Sequence, residues 1–449
     1  MTTGGPLRGD ELGRLVTEVP GPLSIALAAR LRAVESRNVT QVGPEGPIFW
    51  AEAAGAAVRD VDGNTFVDLT AGFGVAAAGH ANPAVVRAIG EQVQTLAHAL
   101  GDVHPAGIKV LLLERLARLA PGDLSVAILA SAGAEAVEAA LKTALLRTGR
   151  PGIIAFERAY HGLTLGALSV TARSAFRAPF SPWLHGGVRF APFPEAGAEE
   201  AVRERHALER VASLLDDSER SGMPVGAVIV EPVQGRGGLV VPSNGFLRGL
   251  RDLCDGERCV LIFDEIYCGL GRTGRWWASD HWAVTPDVLL VGKALTGSLP
   301  LSAAIGTPAV MAAWPPSTGE AIHTSTFLGN PVACAAALAQ LSQIEERGLV
   351  SRSAALGLAI RARVTGWRGR WPGVESCGLG LLQGIRLRGA NGAGRPMTDL
   401  AADLMRAGVL ALAEGEQAEV LAITPPAVIT DAQLVFALDA LEAALERRS

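Results

Sequence analysis

The chain has 449 residues, 49% apolar and 19% charged, with a formal net charge of −5. That length allows two or three domains around a large core, and the composition excludes a disordered chain. Mild acidity without a basic block argues against nucleic acid as the main partner.

Cys254, Cys259, Cys268, Cys334 and Cys377 show neither metal-ligand nor disulfide spacing, which fits a reduced cytoplasm and no metal. The first ten residues carry no apolar signal core, and no apolar run is long enough to span a bilayer. A soluble cytoplasmic protein without membrane contact is expected. No internal repeat is found.

In chain order, residues 1 to about 20 are rich in Gly and Pro and are expected to be poorly ordered. Residues 24–36 predict a short amphipathic helix, with Ile25, Leu27, Ala28, Leu31 and Val34 near helical spacing. Residues 47–69 predict a hairpin with Asp62-Gly63-Asn64 as its turn. Asn82 and Pro83 supply an N-cap and a first helical residue for a helix running to Leu100. From about 105 to 330, strands and helices alternate, which argues a mostly parallel sheet.

Within that region, residues 126–129 predict a strand, Ser131-Ala132-Gly133-Ala134 a small-residue turn, and residues 135–147 a helix. Such a turn offers free backbone N–H groups and a helix dipole to an anion, and small side chains let it approach closely. Any strand-to-helix turn looks somewhat like this. Glu135 and Glu138 suit the dipole but would repel a phosphate if they faced it. A strand at 153–156 delivers Tyr160-His161-Gly162, and one at 227–230 ends in Glu231-Pro232. Asn330-Pro331 opens a helix to about Arg347, stopped by Gly348. Strands near 378–382 and 384–387 and a last helix at 431–447 complete the chain.

The most informative stretch is 259–297. Val260-Leu261-Ile262-Phe263 reads as a strand buried on both faces, with Asp264-Glu265 at its carboxyl end. Val288-Leu289-Leu290-Val291 is a second such run, followed by Gly292-Lys293. Open α/β sheets bind ligands at that edge. A desolvated lysine there can attack a carbonyl, and a buried carboxylate needs a cationic partner. Pyridoxal 5′-phosphate offers both an aldehyde and a pyridinium nitrogen. A buried Asp–Lys ion pair that only joins two strands fits the spacing as well. Gly269, Gly271 and Gly274 also satisfy G-x-G-x-x-G, but five residues separate them from Phe263 and Trp276-Trp277 follow, which is unlike a dinucleotide fingerprint.

Asp264-Glu265-Ile266, Gly269-Leu270-Gly271-Arg272-Thr273-Gly274 and Gly292-Lys293-Ala294-Leu295 closely resemble the signature of class III (ornithine and 4-aminobutyrate type) pyridoxal-phosphate-dependent aminotransferases. The resemblance runs from about residue 45 to 430. It implies an α/β, fold type I enzyme: a large domain with a mainly parallel seven-stranded-type sheet, a smaller α+β domain, and a homodimer. Residues 1–75 would form an arm joining the small domain, 76–339 the large cofactor-binding domain, and 340–449 the small domain.

By the same resemblance, Lys293 joins the cofactor aldehyde as a Schiff base and Asp264 pairs with the ring nitrogen. Ile266 packs on one ring face and Tyr160 on the other, beside His161. Tyr267, commonly glutamine in the family, lies near the phenolic oxygen. Gly133 and Ala134 hold the phosphate, although Ala132 lacks the hydroxyl common there. Thr326, with Ser325 as second choice, reaches the phosphate of the neighbouring subunit. Phe73 and Trp50, in the amino-terminal arm, would line the substrate entrance; ordinary packing explains them too.

Two departures from the family pattern bear on the substrate. An arginine usually stands two residues before a Thr/Ala-Pro-Pro element and clamps a carboxylate. Here that position is Ala422, before Thr424-Pro425-Pro426. The glutamate that usually neutralises it, in Gln-Gly-Glu-x-Gly, is Arg236. Losing both together is physically consistent, because a buried glutamate without its partner is costly. Either Arg236 binds a carboxylate from the other side of the pocket, or the substrate is an ω-amino compound, amine or amino sugar. A solvated Arg236 is the bland alternative. The expected reaction is ping-pong amino transfer from an amino donor to an oxo acceptor. The alternatives are an amino-acid racemase or epimerase of the same fold, or a non-catalytic cofactor-binding protein.

Overall fold

A computed structural model describes residues 5–40, 47–388 and 394–448. Strands β1 (Trp50–Ala54), β2 (Ala57–Asp60) and β3 (Thr65–Asp68) form an antiparallel meander. The single hairpin expected here is therefore two. Gly55 (φ 55°) turns the first and Gly63 (φ 90°) the second, each in the left-handed region that glycine tolerates.

The amino-terminal segment is also more ordered than its composition implied. Arg14 and Thr65 exchange backbone hydrogen bonds, and Asn64 Oδ1 accepts from Val16 and Thr17 N–H. The Gln433 amide donates to the carbonyls of Gly9 and Glu11. These partners lie far away in sequence, so composition could not reveal them. Asn82 caps its helix through Oδ1, which accepts from Ala84 N–H at 3.0 Å. That helix, Pro83–Thr95, stops short of Leu100: Leu96 is extended, and the Asn330 amide captures the Ala97 carbonyl.

The central sheet contains β4 (Val126–Ala130), β5 (Gly152–Phe156), β6 (Val188–Ala191), β7 (Val225–Val230), β8 (Val260–Asp264), β9 (Val288–Val291) and β10 (Ser302–Gly306). Their order is β4-β10-β9-β8-β7-β5-β6. Every pair is parallel except those of β10, which runs antiparallel to β4 and β9. All residues of β7, β8 and β9 are buried, as their uninterrupted apolar runs require. Their shared direction carries Glu231, Asp264 and Lys293 to one edge of the sheet.

Beyond the helices Pro331–Glu346 and Leu349–Trp367 come β11 (Val374–Leu379), β12 (Leu382–Leu387), β13 (Val409–Leu410), β14 (Leu412–Glu414) and β15 (Val420–Ile423). Four of these form an antiparallel sheet in the order β11-β12-β15-β14. β13 instead pairs in parallel with β3, tying the amino-terminal meander to the carboxyl-terminal segment. The last helix, Asp431–Glu446, is closed at its start by a capping box between Thr430 and Gln433. Among the described residues, no helix is long and apolar enough to cross a membrane.

Arg272, on the glycine-rich turn after β8, fastens this sheet to the central one. It is buried, and its Nη1 donates to the carbonyls of Pro425 (2.6 Å), Thr424 (3.3 Å) and Leu381 (3.4 Å). Removing it strands those carbonyls away from water. Arg272→Ala is expected to lower the free energy of unfolding by about 2–3 kcal/mol, read from the midpoint of urea denaturation. An unchanged midpoint would mean the carbonyls find other partners.

Candidate active site

A cavity of about 290 Å³ lies at the carboxyl edge of β7, β8 and β9. Gly133, Ala134, Tyr160, His161, Asp264, Ile266, Tyr267, Lys293 and Arg236 all line it. Chain topology brings them together: they come in short groups from the ends of several strands that lie far apart in sequence.

Lys293 stands just past β9 with φ of 40°, a left-handed conformation that a lysine adopts only under constraint. Burial pushes its amine below the usual lysine range, against the opposing pull of Asp264 and Glu231. Its Nζ sits 4.2 Å from the centroid of the Tyr267 ring. So Tyr267 presents its ring to the cavity, while its hydroxyl lies 3.4 Å from Thr424 Oγ1. The hydroxyl is thus engaged with Thr424. Tight packing explains it: a Cβ at Gly74 or Gly235 would stand 2.6 or 2.3 Å from this ring, so both glycines leave room for it.

Asp264 ends β8. Its Oδ2 lies 2.7 Å from Nδ1 of buried His161, and its Oδ1 accepts from Ile266 N–H. His161 Nε2 is buried without a partner. His161 is thus a built part of the site and not a solvated residue. Glu231, which the sequence reading did not assign, also lines the cavity. It accepts from Tyr160 and Gly235 N–H, and burial pushes its carboxyl up to about 7.

The helix Gly133–Thr148 opens onto the cavity beside Ile266; a Cβ on Gly133 would meet the Ile266 side chain at 3.0 Å. Neither nearby glutamate opposes an anion there. Glu135 turns back to accept from Ser131 N–H, and Glu138 accepts from Thr164 Oγ1 and Gly166 N–H. Ser325 and Thr326 do not reach this cavity; Ser325 lines a separate depression with Lys142 and His323, and both residues are exposed.

Arg236 is neither solvated nor free. Its Nε lies 3.5 Å from Oε2 of Glu414, the last residue of β14, whose side chain is 2% exposed. Its guanidinium also lies 4.8 Å from the Tyr160 ring centroid and 5.6 Å from that of Phe73. Phe73 therefore stands by the cavity mouth, but Trp50 packs edge-on against His80 instead. The expected arginine position is apolar in its surroundings too: Ala422 packs with Tyr267, Val233 and Leu382. Glu414 escaped the sequence reading because nothing local marks it; β14 must pair with β15 before it faces Arg236.

The residues fit pyridoxal 5′-phosphate on structural grounds. A partly buried lysine and a buried carboxylate line one cavity, a glycine-opened helix start offers N–H groups, and an orphaned imidazole nitrogen points to a missing partner. A mainly parallel sheet with this constellation at its carboxyl edge defines a pyridoxal-phosphate-dependent enzyme of fold type I.

Comparison with known proteins sharpens the class. The family described as aminotransferase class-III matches residues 39–445. Acetylornithine aminotransferase of Methanosarcina mazei is 35% identical over 410 residues, covering 91% of this chain and 95% of that protein. The 4-aminobutyrate aminotransferase of Mycobacterium leprae is 34% identical, covering 95% and 97%. A PLP-bound amine transaminase from an uncultivated Pseudomonas species superposes with a TM-score of 0.84 at 26% identity, covering 92% and 98%. The chain belongs to the class III aminotransferases, and it is a PLP-dependent aminotransferase.

Glu265 gives a pH test of the scaffold. It is buried, accepts from Ala278 and Ser279 N–H, and desolvation pushes its carboxyl up to about 7. The unfolded chain releases this proton near 4.5 and the folded chain near 7, so the folded state binds more protons in between. Stability is expected to fall as pH rises through that window. Urea unfolding at pH 5 and pH 8 should show a smaller difference in Glu265→Gln than in the wild type, even though the variant is less stable at both.

Proposed function

We propose that this aminotransferase moves an amino group from an ω-amino compound or simple amine to an oxo acceptor. Lys293 and Asp264 are its catalytic pair. The observation that carries this reading is their placement at the ends of adjacent strands β9 and β8, in one buried cavity. When bound, the cofactor supplies an aldehyde and a ring that accepts electrons.

The chain's own groups do the rest. Burial lowers the proton affinity of the Lys293 amine, and its neutral form is the one that attacks a carbonyl carbon and can later carry a proton between neighbouring atoms. Asp264 would hold the proton on the cofactor's ring nitrogen, and His161, 2.7 Å away, fixes the carboxylate in place. Tyr160 and Ile266 would hold the ring from opposite faces, Tyr267 offers its own ring near Lys293, and Gly133 and Ala134 would give backbone N–H groups to the phosphate. Ala422 leaves no arginine where family members clamp an α-carboxylate. That favours an ω-amino, amine or amino-sugar substrate, with Arg236 receiving the carboxylate of an acidic one and Phe73 beside it at the entrance.

The enzyme works in the cytoplasm as a homodimer, with residues 1–75 and 340–449 forming the small domain around 76–339. Support for the dimer comes from Ser325 and Thr326, exposed and outside the lining of their own cavity, beside exposed Ile322 and Phe327. There they would reach a neighbour's phosphate.

Lys293→Ala should lose the absorbance band of covalently bound cofactor, the cofactor mass retained after borohydride reduction, and turnover; a fully active variant would refute the assignment. Asp264→Asn should slow the first half-reaction on the order of 100-fold or more, since a neutral amide cannot stabilise a pyridinium. Near-normal rates would point to another carboxylate, with Glu231 the first to examine. Arg236→Ala should raise the Michaelis constant for acidic substrates while sparing neutral amines, and an equal effect on both would make the arginine structural.

A further inference from the structure

The Arg236–Glu414 pair places an ion pair at the mouth of the cavity, and the two partners differ in freedom. Glu414 is fixed: its side chain is 2% exposed and it belongs to a strand paired with β15. Arg236 is held at its backbone carbonyl, which accepts from Gly415 N–H and Arg173 Nη2. Its side chain is 28% exposed, and Nε is buried without hydrogen-bond geometry to any partner. At 3.5 Å the contact is long for a charge-assisted hydrogen bond. The guanidinium nevertheless occupies a site built for a cation, between a buried carboxylate and the rings of Tyr160 and Phe73. Arg236 lines the same cavity as Lys293 and Tyr267, so this site borders the reacting amine.

We propose that Glu414 is a specificity residue that receives the distal ammonium of the amino donor, with Arg236 as the resident cation it releases. The inference rests on the transaminase reading and names the donor class as diamines and other amines with a second positive charge. A ping-pong enzyme must take donor and acceptor in one pocket. Arg236 and Glu414 offer both signs there, and each neutralises the other between substrates. The buried carboxylate is never left unpaired, which would be costly. An ammonium that replaces the guanidinium inherits the carboxylate and both rings, and the half-exposed arginine can turn outward to water.

The test uses holoenzyme mixed rapidly with 1,4-diaminobutane or n-butylamine, following bleaching of the bound cofactor. The wild type should prefer the diamine. Glu414→Gln should lower the diamine-to-monoamine ratio of rate constants about tenfold or more. Arg236→Met should raise it, because it frees the carboxylate. A purely structural pair would not move the ratio in opposite directions, so parallel or absent shifts overturn the proposal, as does a wild type that prefers the monoamine. Calorimetry with N,N,N′,N′-tetramethyl-1,4-diaminobutane, which cannot condense with an aldehyde, reads binding alone. Its affinity should fall in Glu414→Gln, and an unchanged affinity overturns the proposal. If neither amine bleaches the wild type while this affinity still depends on Glu414, the donor reading fails and the cation site stands.

Discussion

Desolvation of Lys293 is the constraint on which the site depends. Desolvation pushes the Lys293 amine below the usual lysine range, toward its neutral form, against the pull of nearby carboxylates. Burial of this kind needs a sheet covered on both faces, which β7, β8 and β9 supply. It also needs countercharge at a distance that moderates the shift without quenching it. Asp264 and Glu231 provide it from the adjacent strand ends, and neither forms an ion pair with the lysine.

The same low dielectric organises the acids around it. Asp264 is shared by an imidazole and a backbone N–H, Glu231 by two backbone N–H groups, and Glu265 by two more. Each buried carboxylate therefore has hydrogen-bond donors that fix its direction. Glu414 instead faces a side-chain guanidinium, that of Arg236, which lines the cavity. The contrast separates groups held for structure and chemistry from one positioned to exchange partners.

Packing at the rim explains the unusual Tyr267. Its ring fills space that Gly74 and Gly235 leave open, and its hydroxyl is turned toward Thr424. Gly74 comes from the amino-terminal segment, Gly235 from the loop after β7, and Thr424 from the loop after β15. One side chain thus reads the relative placement of three distant segments. Arg272 does the same from the next turn by gathering the carbonyls of Leu381, Thr424 and Pro425.

By itself the sequence determined the sheet-building runs, the lysine and aspartate at their ends, the small-residue turn after β4 and the proline-opened helices. These signals are local, because periodicity, capping and turn chemistry act within a few residues. It also showed that Ala422 and Arg236 depart from the family pattern. Tertiary structure decided what those departures mean. The partner of Arg236 is Glu414, brought to it only by the pairing of β14 with β15, and the direction of the Tyr267 hydroxyl follows from glycines far along the chain. The order of residues 5–20 likewise depends on Asn64, Thr65 and Gln433. Contacts between distant segments carry no local signature, so they become legible only once the chain has folded.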